Sequence, residues 1–191
     1  MADLFALWLP ILLSAVAVFI ASSIAWMALP HHKPDIQFVE DEPPLLEAVK
    51  DLKPGQYMFP GCASANDLKD PAIKARWEAG PWGMVLLRGA QPNFARNLLS
   101  VFILYIVVGV FVGYLGTIAL NDGADFMSVF RFTGTAAVMA YCLGGIPNAV
   151  FFGRSCRAVC MDIIDGVVYG LITGAIFAWL WPAAEIALPA A

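Results

Sequence analysis

Four long apolar stretches limit what this chain can fold into. They cover residues 4–29, 98–120, 126–152 and 163–181, and Arg131 is the only basic residue in any of them. Crossing about 30 Å of hydrocarbon takes roughly 20 helical residues, which is close to the length of each stretch. With 60% hydrophobic and 14% charged residues among 191, the chain carries more apolar surface than one soluble core needs. The sequence therefore predicts an all-α membrane protein with four transmembrane helices.

The predicted boundaries follow from these stretches and from the polar segments between them. We place transmembrane helices at 4–29, 97–120, 126–148 and 162–182, an insertion at 30–96, and an interfacial connection at 149–161. The third helix is expected to end or kink near Pro147, because proline removes a backbone N–H and disfavours helix just before it. The first stretch is expected to be a retained helix and not a signal peptide, because its leader Met-Ala-Asp lacks a basic residue.

The distribution of basic residues predicts the orientation in the membrane. Eight of the eleven Lys and Arg residues lie between positions 33 and 96, and two more are Arg154 and Arg157. Basic residues near the ends of spans are retained in the cytoplasm, and the short 121–125 connection contains none. We therefore expect residues 30–96 to be cytoplasmic and both termini to lie outside. Nothing in the chain, with its net charge of −4, resembles a nucleic-acid surface.

The insertion is expected to form a small α/β-like unit. Two short helices and two extended segments that pair as a ribbon are predicted, at 44–52, 70–78, 56–60 and 82–88 respectively. About 65 residues with so few apolar positions make a marginal core. We therefore expect Trp77 and Trp82 to contact the ends of the chain's own helices, membrane lipid or a partner protein.

Small residues at four-residue spacing predict where helices pack closely. Such lines let two backbones approach each other, which drives helix association in lipid. The predicted helix-packing residues are Gly109 and Gly113 in the second helix, Ala136, Ala140 and Gly144 in the third, and Gly166, Gly170 and Gly174 in the fourth. The surface that each line meets is left open between another helix of the same chain and a neighbouring subunit.

Three arginines are predicted to contact lipid or a partner. Arg131 lies about 8 Å into the third span, from where its long side chain can reach the interface and meet Asp122 or Asp125. Arg154 and Arg157 lie in the connection before the fourth helix, which is expected to run along the cytoplasmic interface.

The candidate metal ligands are His31, His32, Cys156 and Cys160. Imidazole, thiolate and carboxylate are ligands of Zn and Fe, and residues four apart on a helix can share one ion. The predicted topology brings all four to one interface, together with Cys62, Asp162 and Asp165. The alternative is that they bind no metal, because neighbouring histidines are expected to point apart and the chain has no Cys-x-x-Cys pair.

Two acidic residues follow these cysteines. Asp162 and Asp165 are expected in the first turns of the fourth helix, where the helix dipole favours acids, with Arg157 as their partner. No cofactor is predicted, since the apolar stretches contain no histidine for a haem and no glycine-rich phosphate loop is present.

Three strings of this sequence carry a family resemblance. They are Leu29-Pro30-His31-His32-Lys33-Pro34-Asp35, Pro54-Gly55-Gln56-Tyr57-Met58-Phe59-Pro60, and the segment from Asp165-Gly166 to Trp181-Pro182. Together they resemble a family of small bacterial inner-membrane proteins that carry no assigned function. The resemblance spans most of the chain and implies a location in the bacterial inner membrane, but no activity.

These predictions favour a non-catalytic accessory or scaffolding subunit of a larger membrane complex. The expected partners are membrane lipids and other integral membrane subunits or a second copy of the chain, and no nucleophile with a matched base points to catalysis. Two alternatives stay open. One is a small transporter or lipid-handling protein that uses the broken third helix and Arg131, and the other is a metal-dependent enzyme or sensor at the cytoplasmic interface.

Overall fold

Four helices that are long and apolar enough to cross a membrane form the main part of the structure. The computed structural model describes residues 3–184, and the spans within them are Leu4–Ala28, Phe94–Ala119, Phe126–Phe151 and Cys156–Trp179. A two-stranded sheet lies in the chain between the first and second spans. The predicted fold class is confirmed, and the protein is a multi-pass α-helical membrane protein. The termini, whose side of the membrane is a prediction, lie outside the described residues.

The serine hydroxyls of the first span donate hydrogen bonds to the backbone of the same span. It consists of a 3-10 turn, helix α1 and a wider π turn, which cover Leu4–Leu7, Trp8–Ser23 and Ile24–Ala28. Lipid offers no hydrogen bonds, so a hydroxyl at membrane depth must find a partner within the protein. The hydroxyls of Ser14, Ser22 and Ser23 donate to backbone carbonyls three or four residues earlier, at 2.8–3.0 Å.

Residues Phe38–Asn93 form a separate compact unit, which we call the insertion unit. Its elements are helix α2 (Glu42–Val49), strand β1 (Gly55–Phe59), helix α3 (Pro71–Ala79) and strand β2 (Gly83–Leu87). Its bounds are narrower than the predicted 30–96, because residues 30–37 and 94–96 belong to the helical unit.

Local sequence signals account for the elements of the insertion unit. The strands pair antiparallel, with Gly55 opposite Leu87, which agrees with the predicted ribbon. The Asp70 carboxylate accepts a hydrogen bond from the Ala72 N–H at 2.8 Å and so caps the start of α3. Gly80 ends α3 at a φ of +69°, a backbone conformation that favours glycine.

Three spans follow the insertion unit: α4 (Phe94–Ala119), α5 (Phe126–Cys142) with its short continuation α6 (Ile146–Phe151), and α7 (Cys156–Trp179). The third span breaks between α5 and α6, just before Pro147, as the sequence predicts. The fourth begins at Cys156 and not at 162, because Ser155 Oγ accepts a hydrogen bond from the Ala158 N–H and caps the helix there. Residues 149–161 therefore end one helix and begin the next.

The four spans pack as a ring around an apolar interior. Helix α1 contacts α4 and α7, and α5 contacts the same two helices. Val112, Val129 and Phe177 belong to the larger buried cluster, and Tyr105 and Tyr169 belong to the smaller one. Less than half of the most apolar part of each span is buried, so the remaining side chains are available to face lipid.

The glycines of α7 pack against α5 within the same chain. A Cβ at Gly174 would lie 2.7 Å from the Gly134 Cα, and one at Gly170 would lie 2.8 Å from the Val138 backbone nitrogen. One at Gly166 would lie 2.7 Å from the sulfur of Cys142. The contacts run in opposite directions at four-residue steps on both helices, and we call them the glycine ladder.

The packed face of α5 differs from the predicted one. Ala140 is exposed, and a Cβ at Gly144 would meet nothing within 4 Å, since α5 has already ended at Cys142. Of the predicted line, only Ala136 is partly buried against the core. The glycines on α7 leave room for side chains of α5, so a residue as large as Val138 can face them. On α4, Gly109 lies against Ile11 of α1, as a helix-packing residue should.

Candidate functional site

A cluster of polar side chains lies where the chain leaves the first span and meets α7. The chain becomes extended at Leu29, and a turn over residues 31–35 follows. This turn brings two histidines and an aspartate beside an aspartate and an arginine of α7. The His–Asp cluster comprises His31, His32, Asp35, Arg157 and Asp165.

Both histidines contact the same carboxylate. His31 Nε2 lies 3.2 and 3.3 Å from the two carboxylate oxygens of Asp165, and His32 Nε2 lies 3.0 Å from Asp165 Oδ2. The expectation that neighbouring histidines point apart is wrong here, since the ring centroids are 4.3 Å apart. The reason is that these residues lie in a turn, where consecutive side chains do not take the helical step of about 100°.

Asp35 contacts the second ring nitrogen of His32. Its Oδ2 lies 2.7 Å from His32 Nδ1, and its Oδ1 accepts a hydrogen bond from Arg157 Nη1 at 2.6 Å. Arg157 Nη2 also donates to the backbone carbonyl of His31 at 2.6 Å. One guanidinium therefore fixes the turn to α7. The expected pairing of Arg157 with Asp162 or Asp165 is not the one observed, and Asp162 pairs with Arg154.

The surroundings favour the charged forms of His32 and Asp35. Burial disfavours a charged imidazole, yet the hydrogen bonds with Asp35 and Asp165 and their negative charges outweigh it and raise the pKa of His32. The hydrogen bond with His32 lowers the pKa of Asp35, and the positive charge of Arg157 acts in the same direction. Only 3% of the His32 side chain is exposed, so the ring depends on these partners.

Two aromatic side chains hold the cluster in place. The Trp26 ring stacks on His32, with ring centroids 3.9 Å apart and planes 5° apart. Tyr169, one turn after Asp165 on α7, donates its hydroxyl to Asp165 Oδ2 at 3.3 Å. Trp26 therefore helps to fix the orientation of the His32 ring, and Tyr169 helps to fix that of the Asp165 carboxylate.

Three members of the cluster present metal-ligating atoms that converge. One atom each from His31, His32 and Asp165 lies within 4.8 Å of the others. Imidazole nitrogen and carboxylate oxygen are both ligands of Zn and Fe. The other two predicted ligands, Cys156 and Cys160, are exposed free thiols and lie outside this group. The structure thus brings two of the four predicted ligands together and adds Asp165.

An apolar groove opens beside the cluster. Its volume is about 470 Å³, and its only charged or titratable lining residues are His31, Asp165 and Tyr169. The rest of the lining comes from the end of the first span and from α7, namely Ala21, Ile24, Ala25, Leu29, Met161, Ile164 and Val168. The groove gives a small molecule a route to the converging ligand atoms.

Of the arginines predicted to contact lipid or a partner, Arg157 belongs to the cluster, whereas Arg131 does not. Arg131 lines a second groove, of about 580 Å³, whose other walls are mainly apolar. Asp125, one of its expected partners, caps α5 by accepting hydrogen bonds from the N–H groups of Met127 and Ser128. In the insertion unit, Trp77 and Trp82 are exposed, and the contacts predicted for them stay a prediction.

The four predicted ligands include neither aspartate of the cluster, although the sequence places Asp165 at the same interface and Asp35 was not anticipated at all. Asp35 follows His32 by three residues, a spacing at which two side chains on one turn can meet, so His-x-x-Asp was the available signal. Asp165 was expected to serve the helix dipole because the helix was expected to begin at 162. With the start at Cys156, it lies beyond the first turns and faces the histidines.

Comparison with known proteins identifies no relative of this chain. No family model matches the chain, and neither the curated proteins nor the solved structures give a match. The resemblance to small bacterial inner-membrane proteins stays a prediction from the three strings quoted above.

Proposed function

We propose that this protein is a non-catalytic accessory subunit of a membrane complex and that it binds its partner through the insertion unit. One observation carries the proposal: no side chain between Phe38 and Asn93 is buried. Eleven large apolar side chains are exposed there, namely Phe38, Val39, Leu45, Leu46, Leu52, Met58, Phe59, Trp77, Trp82, Met84 and Leu86. Exposed apolar surface on this scale is typical of an interaction site.

One face of the hairpin is the best candidate for the contact. Met58 lies opposite Met84, and Leu86 lies on the same face two residues further along β2. Met58 and Leu86 are each 62% exposed, so the insertion unit itself does not cover this face. A two-stranded hairpin is marginally stable in water by itself, and both of its edges can accept a further strand.

Charge favours a protein partner over the membrane surface. The insertion unit contains eight acidic and six basic residues, which leaves two net negative charges. The cytoplasmic leaflet is itself negative and attracts basic segments. An acidic unit with exposed apolar side chains therefore suits a protein surface better than anionic lipid.

The small-residue faces contribute little to this proposed contact. The glycine ladder of α7 is filled by α5, and Gly109 and Gly113 lie against side chains of the first span and of α7. Partner binding therefore rests on the insertion unit and on the lipid-facing surface of the spans.

The proposal includes the orientation, with residues 30–96 in the cytoplasm of a bacterial cell. To test it, Cys142, Cys156 and Cys160 are changed to serine, and the remaining Cys62 is probed with a membrane-impermeant maleimide. We expect labelling only after the inner membrane is opened. A matched variant that carries Asn121→Cys as its single cysteine should react in intact spheroplasts. The opposite pattern would reverse the orientation.

A crosslinking experiment tests the partner contact. A photoreactive amino acid at Leu86 should give a discrete protein adduct in native membranes, because this position is exposed on the apolar face of the hairpin. The same probe at Glu47, on the exposed polar part of α2, is the control and should give none.

Native mass spectrometry after gentle extraction should show the same partner bound, and Leu86→Asp should release it. A strictly monomeric species with lipid adducts only would contradict the proposal.

A further inference from the structure

We propose that His31, His32 and Asp165 bind one divalent transition-metal ion, Zn²⁺ or Fe²⁺, where the first span meets α7. This site is independent of the accessory role proposed above. It differs from the ligand set that the sequence predicts, because a carboxylate of α7 takes the place of the two cysteines.

The spacing of the donor atoms fits a small ion. With Zn–N and Zn–O bonds of about 2.0–2.1 Å, the ligand atoms of a tetrahedral site lie about 3.3 Å apart. His31 Nε2 lies 3.2 Å from Asp165 Oδ1, and His32 Nε2 lies 3.0 Å from Asp165 Oδ2. Both contacts with Asp165 match that spacing, and the three ligand atoms together lie within 4.8 Å of one another.

The hydrogen-bond inventory of His32 favours a cation in this place. Both ring nitrogens face carboxylate oxygens, Nδ1 at 2.7 Å from Asp35 and Nε2 at 3.0 Å from Asp165. A protonated imidazole can donate to both carboxylates, so the two contacts require a positive charge on or beside the ring. A metal ion at Nε2 would take the place of the proton there and leave the proton on Nδ1 for Asp35.

The groups that contact His32 are of the kind that usually support a metal-ligating histidine. A ligating histidine usually donates its other N–H to a carboxylate, which fixes the ring and raises its basicity. Asp35 occupies that position for His32, and Arg157 holds Asp35 in turn at 2.6 Å. Trp26 stacks on the His32 ring and limits its rotation.

Three protein ligands leave at least one coordination position open. Two of them, His31 and Asp165, line the groove of about 470 Å³ beside the cluster. The open position can therefore take water or the polar group of an amphipathic molecule whose apolar part lies in the groove. An open position is the arrangement of reactive metal sites, whereas closed four-ligand sites are structural.

Metal titration of the full-length chain tests the proposal. Protein in lipid nanodiscs is stripped with a chelator and titrated with Co²⁺, whose visible absorption reports ligand type and geometry, and Zn²⁺ is then added as competitor. We expect one equivalent of Co²⁺ bound through nitrogen and oxygen and displaced by Zn²⁺. His31→Gln and Asp165→Asn should each weaken binding by more than the 10- to 100-fold loss that is typical of outer-shell variants such as Asp35→Asn.

Matched variants separate ligand loss from misfolding. Asp162→Asn removes a carboxylate of the same helix that pairs with Arg154, and it should bind Co²⁺ like the unaltered chain. The double variant Cys156→Ser, Cys160→Ser should also retain binding. If Asp165→Asn does not fold, His31→Gln still decides, because His32 keeps both of its carboxylate contacts in that variant. Folded wild-type protein that binds clearly less than one equivalent overturns the proposal, and so does loss of binding only in the cysteine variant.

Discussion

Replacing Gly170 by leucine is expected to destabilise the four-helix unit by about 3 kcal/mol, the upper end for overpacking a well-packed site. A Cβ at this position would lie 2.8 Å from the backbone nitrogen of Val138 and 2.9 Å from its Cα. Backbone atoms cannot rotate away, so α5 and α7 must separate. In lipid, separated helices lose close packing with little hydrophobic compensation. Thermal unfolding of the detergent-solubilised protein, followed by size-exclusion fluorescence, measures the loss.

Two further variants show whether the loss comes from the glycine ladder. Gly170→Ala adds only the Cβ and should fall between the unaltered chain and Gly170→Leu. Gly144→Leu places the larger side chain where a Cβ meets nothing within 4 Å, and its stability should stay within about 0.5 kcal/mol of the unaltered chain. Equal losses from Gly170→Leu and Gly144→Leu would show that α5 and α7 do not approach as closely as described.

Asp165→Ala is the second substitution with a large expected effect, a loss of about 2–3 kcal/mol in the presence of EDTA. The carboxylate is the shared partner of His31, His32 and Tyr169, so three polar groups lose a partner at once. EDTA removes any contribution of a bound ion, so unfolding then reports the side-chain contacts alone. Chemical unfolding monitored by tryptophan fluorescence is suitable, because Trp26 stacks on His32.

Asp162→Ala is the matched control for this prediction. Asp162 lies one turn earlier on the same helix and pairs with Arg154, and their side chains are 33% and 43% exposed. Exposed ion pairs contribute about 0–1 kcal/mol, so this variant should unfold close to the unaltered chain. If both variants lose the same stability, the His–Asp cluster would contribute no more than an exposed ion pair.

The helical spans could be predicted because their signals are local. Length and hydrophobicity identify a span, and Asp70 and Gly80 mark the ends of α3 in the sequence itself. The signal for the start of α7 is also local, since Ser155 caps the helix. The charged residues Arg157 and Asp162 lie in its first turns, however, so the continuous apolar stretch begins only at Ile163. An error of a few residues at this boundary changes the role assigned to Asp165.

Contacts between helices were harder to predict. A line of small residues shows where a helix can be approached, but not which residues on the neighbouring helix approach it. Val138 lies in the glycine ladder although it is not small, while Ala140 does not. Likewise, the contacts of His31 and His32 with Asp165 join positions more than 130 residues apart, and no local spacing reveals them.

The glycine ladder also sets the azimuth of a functional side chain. Gly166 directly follows Asp165, and consecutive residues on a helix point about 100° apart. Because Gly166 lies against Cys142 and Tyr141 of α5, a rotation of α7 about its own axis would disrupt this close packing. This packing therefore keeps the Asp165 carboxylate directed at His31 and His32. Substitutions on the α5-facing side of α7 are expected to alter the His–Asp cluster without contacting it.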